Sequence, residues 1–445
     1  MKKINSILTE VLEKIKTPKE DLEFIEVNLK EFLKEVRKRI KKNKINAELF
    51  VGGSFAKGTV ILKDYYDVDI FIRFDKKHKE ISKLTQKILK GIKNVSKVHG
   101  SRDYFRIKKG PNFFIELVPV KKVSNPKQAE NITDLSYSHV KYIKKKIKNK
   151  KILDEIRLAK AFCYATNTYG AESYINGFSG YGLELLVYYY GSFFKFIKVM
   201  AKERKKSKKG KNIWSKEYGK KWEEMRKKIV IDIEKDYKTR QMVLFDINAS
   251  KLSSPIILID PTYTQRNVLA ALSKATFEKF QKACKDFLKK PSIKAFEIKE
   301  VDLKKIKKDA KKQKFEFILL KAKTNKQKGD IAGSKLLKFY KYLGSQIEKY
   351  FKIKNKGFNY DKNKSARYFF VVENKKEILI QGPRLKNKKH IKRFKEKHKN
   401  CFTKKGRIYA KDKIDFNIKE FIKNWKRKNK KIMKEMSIIG LEIID

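Results

Sequence analysis

The chain has 445 residues, too many for one hydrophobic core, so two to four domains are expected. At 41% hydrophobic and 12% aromatic it has material for packed cores, which excludes an intrinsically disordered chain. Lysine and arginine number 113 against 50 acidic residues, and a net charge of +63 repels itself unless the usual partner is a polyanion.

A lysine-favouring genome accounts for part of that excess, but acidic residues would then rise alongside. The basic residues spread along the whole chain, so a nucleic acid tracked along its backbone is the expected partner, with affinity falling steeply with salt. No run approaches the roughly 18 apolar residues of a membrane span. The opening MKKINSILTEVLEKIK reads as an amphipathic helix without the apolar run of a signal peptide, so a cytoplasmic protein is expected. Cys163, Cys284 and Cys401 lie far apart and the five histidines are scattered. They form neither a disulfide framework nor a zinc cluster, and each cysteine reads as a small buried apolar residue.

In chain order, residues 1–43 carry two helical patterns, the second dense in basic residues. Period-two apolar runs follow at Ala47–Val51, Val68–Phe74, Asp103–Lys108 and Phe113–Val120, interrupted by a helical stretch at about 80–93. From Ile152 to about 290 the helical period dominates, notably in ILDEIRLAKAFCYA and YGLELLVYYYGSFFKFIKVMA, with strand-like IVIDI and PIILID between. The segment KERKKSKKGK (202–211) reads as a solvated basic loop. Beyond 290, strand-like FEFILLKAK, RYFFVVE, EILIQG and RIYA alternate with basic helices such as GSKLLKFYKYLGSQIEKYF. The expectation is an α+β multidomain chain with parts 1–150, 151–290 and 291–445.

The segment VGGSFAKGTVILKDYYDVDIFIRF carries the chemistry. A strand ends at Gly52-Gly53, where glycines let the backbone approach a ligand and exposed amides form an anion nest. Ser54 and Lys57 add a hydroxyl and a charge suited to a triphosphate. Thirteen positions after Ser54 comes Asp67-Val68-Asp69, whose carboxylates share one face of a strand because strand side chains alternate. Adjacent carboxylates repel, and hard divalent cations such as Mg²⁺ relieve that repulsion while bridging to phosphate oxygens. Glu116 supplies a third acid as the sole charge in an apolar strand; the alternative is a salt bridge to a lysine, costly to desolvate there.

With those residues in place, the sequence resembles the nucleotidyltransferase superfamily of poly(A) polymerases and tRNA nucleotidyltransferases, and more closely the archaeal-type (class I) CCA-adding enzymes. The resemblance extends through Asp154–Lys160, Tyr169-Gly-Ala-Glu, Gly177–Leu186 and Ile259-Asp-Pro…Arg266-Asn-Val, with weaker matches at Gly382-Pro and Gly406–Ala410. It implies a polymerase-beta-like mixed sheet, a mainly helical central domain completing the nucleotide pocket, and an α+β C-terminal region binding the acceptor and T arms of tRNA. It implies that Asp67, Asp69 and Glu116 hold two Mg²⁺ ions. It further implies that Gly53, Ser54, Lys57, His139, Lys160 and Tyr169 hold ATP or CTP, and that Arg266 reads the base edge. The chain departs from the family pattern at Lys57, where Arg is usual, and at Glu116, where Asp is usual.

Arg266 is expected in the first turn of a helix capped by Thr262 or Thr264. Tyr169 is expected to stack on a sugar or base. The reading is a CCA-adding tRNA nucleotidyltransferase, against a poly(A) polymerase-like enzyme or a catalytically inactive RNA-binding homologue. The oligomeric state stays open, a homodimer among the options.

Overall fold

The computed structural model describes residues 2–100, 102–202 and 228–444, so most of the expected basic loop at 202–211 lies outside the described residues. The chain divides into two compact units, Met1–Lys299 and Glu300–Asp445.

The first unit opens with helices α1 (Lys2–Ile15) and α2 (Lys19–Lys42). In α2, Ile25, Leu29, Phe32, Val36 and Ile40 recur at helical spacing and are all buried, which selects one face for the core. A five-stranded sheet follows: β1 (Ala47–Val51), β2 (Tyr66–Phe74), β3 (Val95–Val98), β4 (Tyr104–Lys108) and β5 (Phe113–Lys121), in spatial order β1-β2-β5-β4-β3. The short helix α3 (Gly53–Ala56) leaves β1, and α4 (Ile81–Leu89) lies between β2 and β3. β2 and β5 run parallel, the other pairs antiparallel. Val68, Ile70 and Ile72 of β2 join Ile115 and Leu117 of β5 in a core with α2 and α4. By alternation Asp67, Asp69 and Glu116 occupy the opposite face. The sheet's outer strand β3 was absent from the sequence expectation; VSKV is too short and polar to show a period.

A second core is helical. It gathers α5 (Ser136–Lys146), α6 (Lys150–Ala165), α7 (Gly180–Tyr190) and α8 (Phe193–Met200), and it also takes Leu8 and Val11 of α1. The apolar run 181–201 forms two helices. Gly191 adopts a left-handed conformation (φ 78°) and the Ser192 side chain caps the next helix by accepting from the Lys195 amide. After β6 (Ile229–Ile231) and α9 (Arg240–Asp246), the strands β7 (Ile256–Asp260) and β8 (Tyr263–Asn267) form a tight hairpin, and α10 (Lys274–Lys289) closes the core. Cys163 and Cys284 are buried here as expected, whereas Cys401 in the second unit is half-buried.

The second unit contains α11 (Leu303–Lys312), β9 (Glu316–Thr324), α12 (Asp330–Tyr350), β10 (Phe351–Tyr360), β11 (Ser365–Asn374), β12 (Glu377–Arg384), α13 (Lys388–Lys397), β13 (Cys401–Lys404) and β14 (Arg407–Lys413). It ends with α14 (Ile418–Lys428), α15 (Lys430–Glu435) and β15 (Ile438–Ile443). One sheet has the order β10-β11-β9-β15 and a smaller one β12-β14-β13. Ile318 and Leu320 of β9 and Tyr368 and Phe370 of β11 share a core with α12 and α14, an α+β arrangement with both helices on one sheet face.

Candidate active site

Two glycines end β1. The Gly52 amide is not exposed; it donates to the Asp69 carbonyl at 2.8 Å and continues the ladder. Gly53 turns the chain with φ +61°, and a Cβ there would stand 1.8 Å from Asp69 Oδ2. The backbone thus passes directly against an acidic side chain, which only glycine permits. Ser54 follows in α3, half-buried.

Asp69 pairs in register with Glu116 across the parallel β2–β5 ladder, with Asp67 two residues away on the same face. Burial, then repulsion from Asp67 and Glu116, pushes the Asp69 carboxyl up to about 7 against the opposing pull of Lys57 and Lys63. Lys63 Nζ lies 3.8 Å from Asp67. Three carboxylates on one sheet face offer hard oxygen donors, the chemistry that suits a divalent cation such as Mg²⁺.

Glu116 is not without a partner, as its apolar strand suggested. Arg106, its register neighbour on β4, donates from Nε at 2.9 Å and from Nη2 to the same oxygen, Oε1. The Arg106 guanidinium also lies over the Phe114 ring at 5.3 Å. Burial, with repulsion from Asp67, still holds the Glu116 carboxyl above its ordinary value against the pull of Arg106. Among the described residues, no three His, Cys, Asp or Glu are gathered closely enough to enclose a metal ion. The partner was hidden because a lone acid on a strand says nothing about what the neighbouring strand presents.

Lys57 and Lys160 converge on an acid that sequence reasoning passed over. Glu184 of α7, fully buried, accepts from Lys57 Nζ at 2.6 Å and from Lys160 Nζ at 3.1 Å. Thr59 Oγ1 donates to Glu184 at 3.0 Å and accepts from Lys160 at 2.7 Å. Lys160 donates in addition to the Thr59 carbonyl at 3.2 Å, so its three N–H groups are occupied. Burial lowers Lys160 to about 8, opposed chiefly by Glu184, so it is mostly protonated at neutral pH. The signal for Glu184 was legible: it is the lone charge in GYGLELLVYYY, the same rule that singled out Glu116.

His139 and Arg266 meet at Asp260. His139 Nε2 donates to Asp260 Oδ2 at 3.0 Å, because a carboxylate can only accept, and Arg266 Nη1 donates to the same oxygen at 2.6 Å. Tyr181 and the Thr262 amide and hydroxyl occupy Oδ1. The His139 and Tyr181 rings stack 4.1 Å apart. Arg266 therefore stands on strand β8, not in the expected helix. The Asp260 carboxylate takes the Thr262 amide and hydroxyl, folding Asp260–Tyr263 into a hairpin, and the next helix waits for the Ser273 cap. Tyr169, beyond the end of α6, forms a bridge with Phe178 and stacks on Tyr164 at 4.2 Å.

Burial alone would raise Asp260, but His139, Arg266 and Thr262 outweigh it and hold the carboxyl well below the usual carboxylate range. A depressed folded value stabilises the protein above the unfolded value near 4, and that stability is lost as pH falls below it. Asp260→Asn should cost about 3 kcal/mol at pH 7, since the Arg266 guanidinium and the His139 N–H lose the carboxylate to which both donate. In urea denaturation the difference from wild type should be largest above pH 5 and shrink towards pH 2. A difference independent of pH would contradict the assignment.

Residues 29–153 match the nucleotidyltransferase domain family, and residues 154–297 match the second domain of tRNA nucleotidyltransferases. The CCA-adding enzyme of Nanoarchaeum equitans is 32% identical over 374 residues, 82% of this chain and 83% of that protein. The chain belongs to the CCA-adding enzyme family. The CCA-adding enzyme of Methanocaldococcus jannaschii is 29% identical, over 92% of this chain and 87% of its own length. Among solved structures, one of the Cid1 poly(U) polymerase superposes with a TM-score of 0.49 at 14% identity, covering 67% of this chain and 99% of that one. Within this family the β1–β5 sheet is the nucleotidyltransferase domain, and the sheet face bearing the acids lies in the same compact unit as the helical core. No described helix is long and apolar enough to cross a membrane.

Proposed function

We propose that this member of the CCA-adding family completes and repairs the 3′ end of tRNA, adding CMP and AMP from CTP and ATP. The observation that carries the reading is the register pairing of Asp69 with Glu116 beside Asp67, on the sheet face that Gly53 approaches. In the reaction the tRNA 3′ oxygen bonds to the α-phosphorus, the bond to the β-phosphate oxygen breaks, and pyrophosphate leaves as the hydroxyl proton passes to water. Asp67, Asp69 and Glu116 would hold two Mg²⁺ ions, which when bound stabilise charge on the attacking and leaving oxygens. Glu116 can join them through Oε2, because both Arg106 contacts fall on Oε1.

Ser54 and Lys57 face the triphosphate; Lys57 has N–H groups beyond the one that Glu184 receives. Lys160 lies beneath as a second positive charge, and Tyr169 with Tyr164 offers a stacking surface for the sugar. His139 and Arg266 are held by Asp260, and Arg266 donates to the acceptor-rich edges of cytosine and adenine. In the domain reading, 1–150 is catalytic, 151–290 completes the nucleotide pocket, and 291–445 binds the acceptor and T arms by shape and phosphate contacts. The helix α13, KKHIKRFKEK, has no buried residue and suits that role. The setting proposed is the cytoplasm.

The test is extension of tRNA lacking its last three nucleotides. CTP alone should add two residues, and CTP with ATP should add three and stop. Tailing of arbitrary RNA with ATP alone would favour a poly(A) polymerase. Binding of tRNA with no addition would favour an inactive homologue.

A further inference from the structure

The fully buried Glu184 has no place in the reaction just described, yet it is the one charge on a helix whose neighbours Leu183, Leu185, Leu186 and Val187 have no exposed surface. A carboxylate in such a setting is costly unless its oxygens are satisfied. Here each oxygen has its own lysine. Oε2 takes Lys57 at 2.6 Å, and Oε1 takes Lys160 at 3.1 Å together with Thr59 at 3.0 Å. The three charges come from three elements: the residue after α3, helix α6 and helix α7.

The arithmetic of the cluster matters. A Lys57–Glu184 pair alone would be neutral and would offer an anion little. Lys160, with all three N–H groups turned inward, offsets Glu184 from behind and leaves Lys57 carrying net positive charge. Arg157 of α6 pins the same loop by donating to the Gly58 carbonyl at 2.6 Å and the Val60 carbonyl at 3.1 Å. Lys57 is also the strongest cationic influence on Asp69. Released from Glu184, its flexible stem would be drawn towards those acids.

We propose that Glu184 is a positioning residue: with Lys160 behind it, its carboxylate orients Lys57 towards the nucleotide triphosphate and holds it off the acidic trio. This rests on the reading of Lys57 as a triphosphate ligand.

The test uses the full chain with Glu184→Gln, measuring ATP, CTP and adenosine affinity without tRNA, tRNA affinity, and melting temperature. Glu184→Gln should weaken ATP and CTP about tenfold while adenosine and tRNA affinities stay within about twofold. A folded variant with wild-type ATP affinity overturns the proposal. So does one that loses ATP, adenosine and tRNA in equal proportion, the pattern of a purely structural role. Should Glu184→Gln fail to fold, Thr59→Val decides. It removes one hydroxyl from the cluster and should weaken ATP about threefold without touching adenosine; an unchanged ratio of ATP to adenosine affinity overturns the proposal. A wild type that binds CTP and ATP but never extends tRNA defeats the functional reading and leaves this comparison intact.

Discussion

Asp69→Asn should reduce nucleotide addition by roughly three orders of magnitude or more, because removing one acid of the trio forfeits several kcal/mol of transition-state stabilisation. The same substitution should leave the fold intact and, without metal, raise the melting temperature at pH 8. The reason is the sign of the linkage. The Asp69 carboxyl is pushed up to about 7, by burial first and then by Asp67 and Glu116. An acid whose folded value is raised binds more protons in the native state, so stability falls as pH climbs from about 4 to about 7. The neutral amide avoids that loss, and below pH 4 the two proteins should melt alike. Single-nucleotide extension under saturating CTP, with calorimetry at pH 4 and pH 8, checks both halves. A variant that keeps wild-type extension would remove Asp69 from the site, whatever its stability.

Gly53→Ala should be nearly as damaging although it adds a single methyl group. The residue adopts φ +61°, and its Cβ would lie 1.8 Å from Asp69 Oδ2. The left-handed backbone costs an alanine about 1–2 kcal/mol, and the contact forces either the loop or the Asp69 carboxylate aside. Displacing a reacting group by about 1 Å can cost on the order of a hundredfold in rate. The expected result is a loss of at least that size in kcat, with a fall of a few degrees in melting temperature. Gly91→Ala is the control, since its φ is also positive (+83°) but nothing lies within 4 Å of the added Cβ. It should share the stability cost and keep its activity. If both variants lose activity equally, backbone strain and not the approach to Asp69 explains the glycine.

The strands β1 and β5 and the helices α1, α2 and α6 follow from periodicity, because burial of one face imposes a period of 2.0 or 3.6 on the residues themselves. The hairpin at Asp260 was missed because its turn depends on a carboxylate that also holds His139, 121 positions away. The break at Gly191 was passed over because the apolar run continues across it, although Gly-Ser is itself a stop and a cap. Two strands of the smaller second-unit sheet, β12 and β14, were visible; β13 was not, being exposed at three of its four positions.

The acids show most plainly where each kind of information ends. That Asp67 and Asp69 project side by side is a local matter of strand alternation, and the sequence alone determined it. Their register with Glu116, and the partners of every other charge in the site, were decided by tertiary structure. Glu116 meets Arg106 across a ladder, Lys57 meets Glu184 over 127 positions, and Arg266 meets Asp260 across a hairpin. A charge in a sequence declares that it needs a partner once buried. Which partner it finds depends on how strands and helices pack, and that is settled by the apolar residues around it.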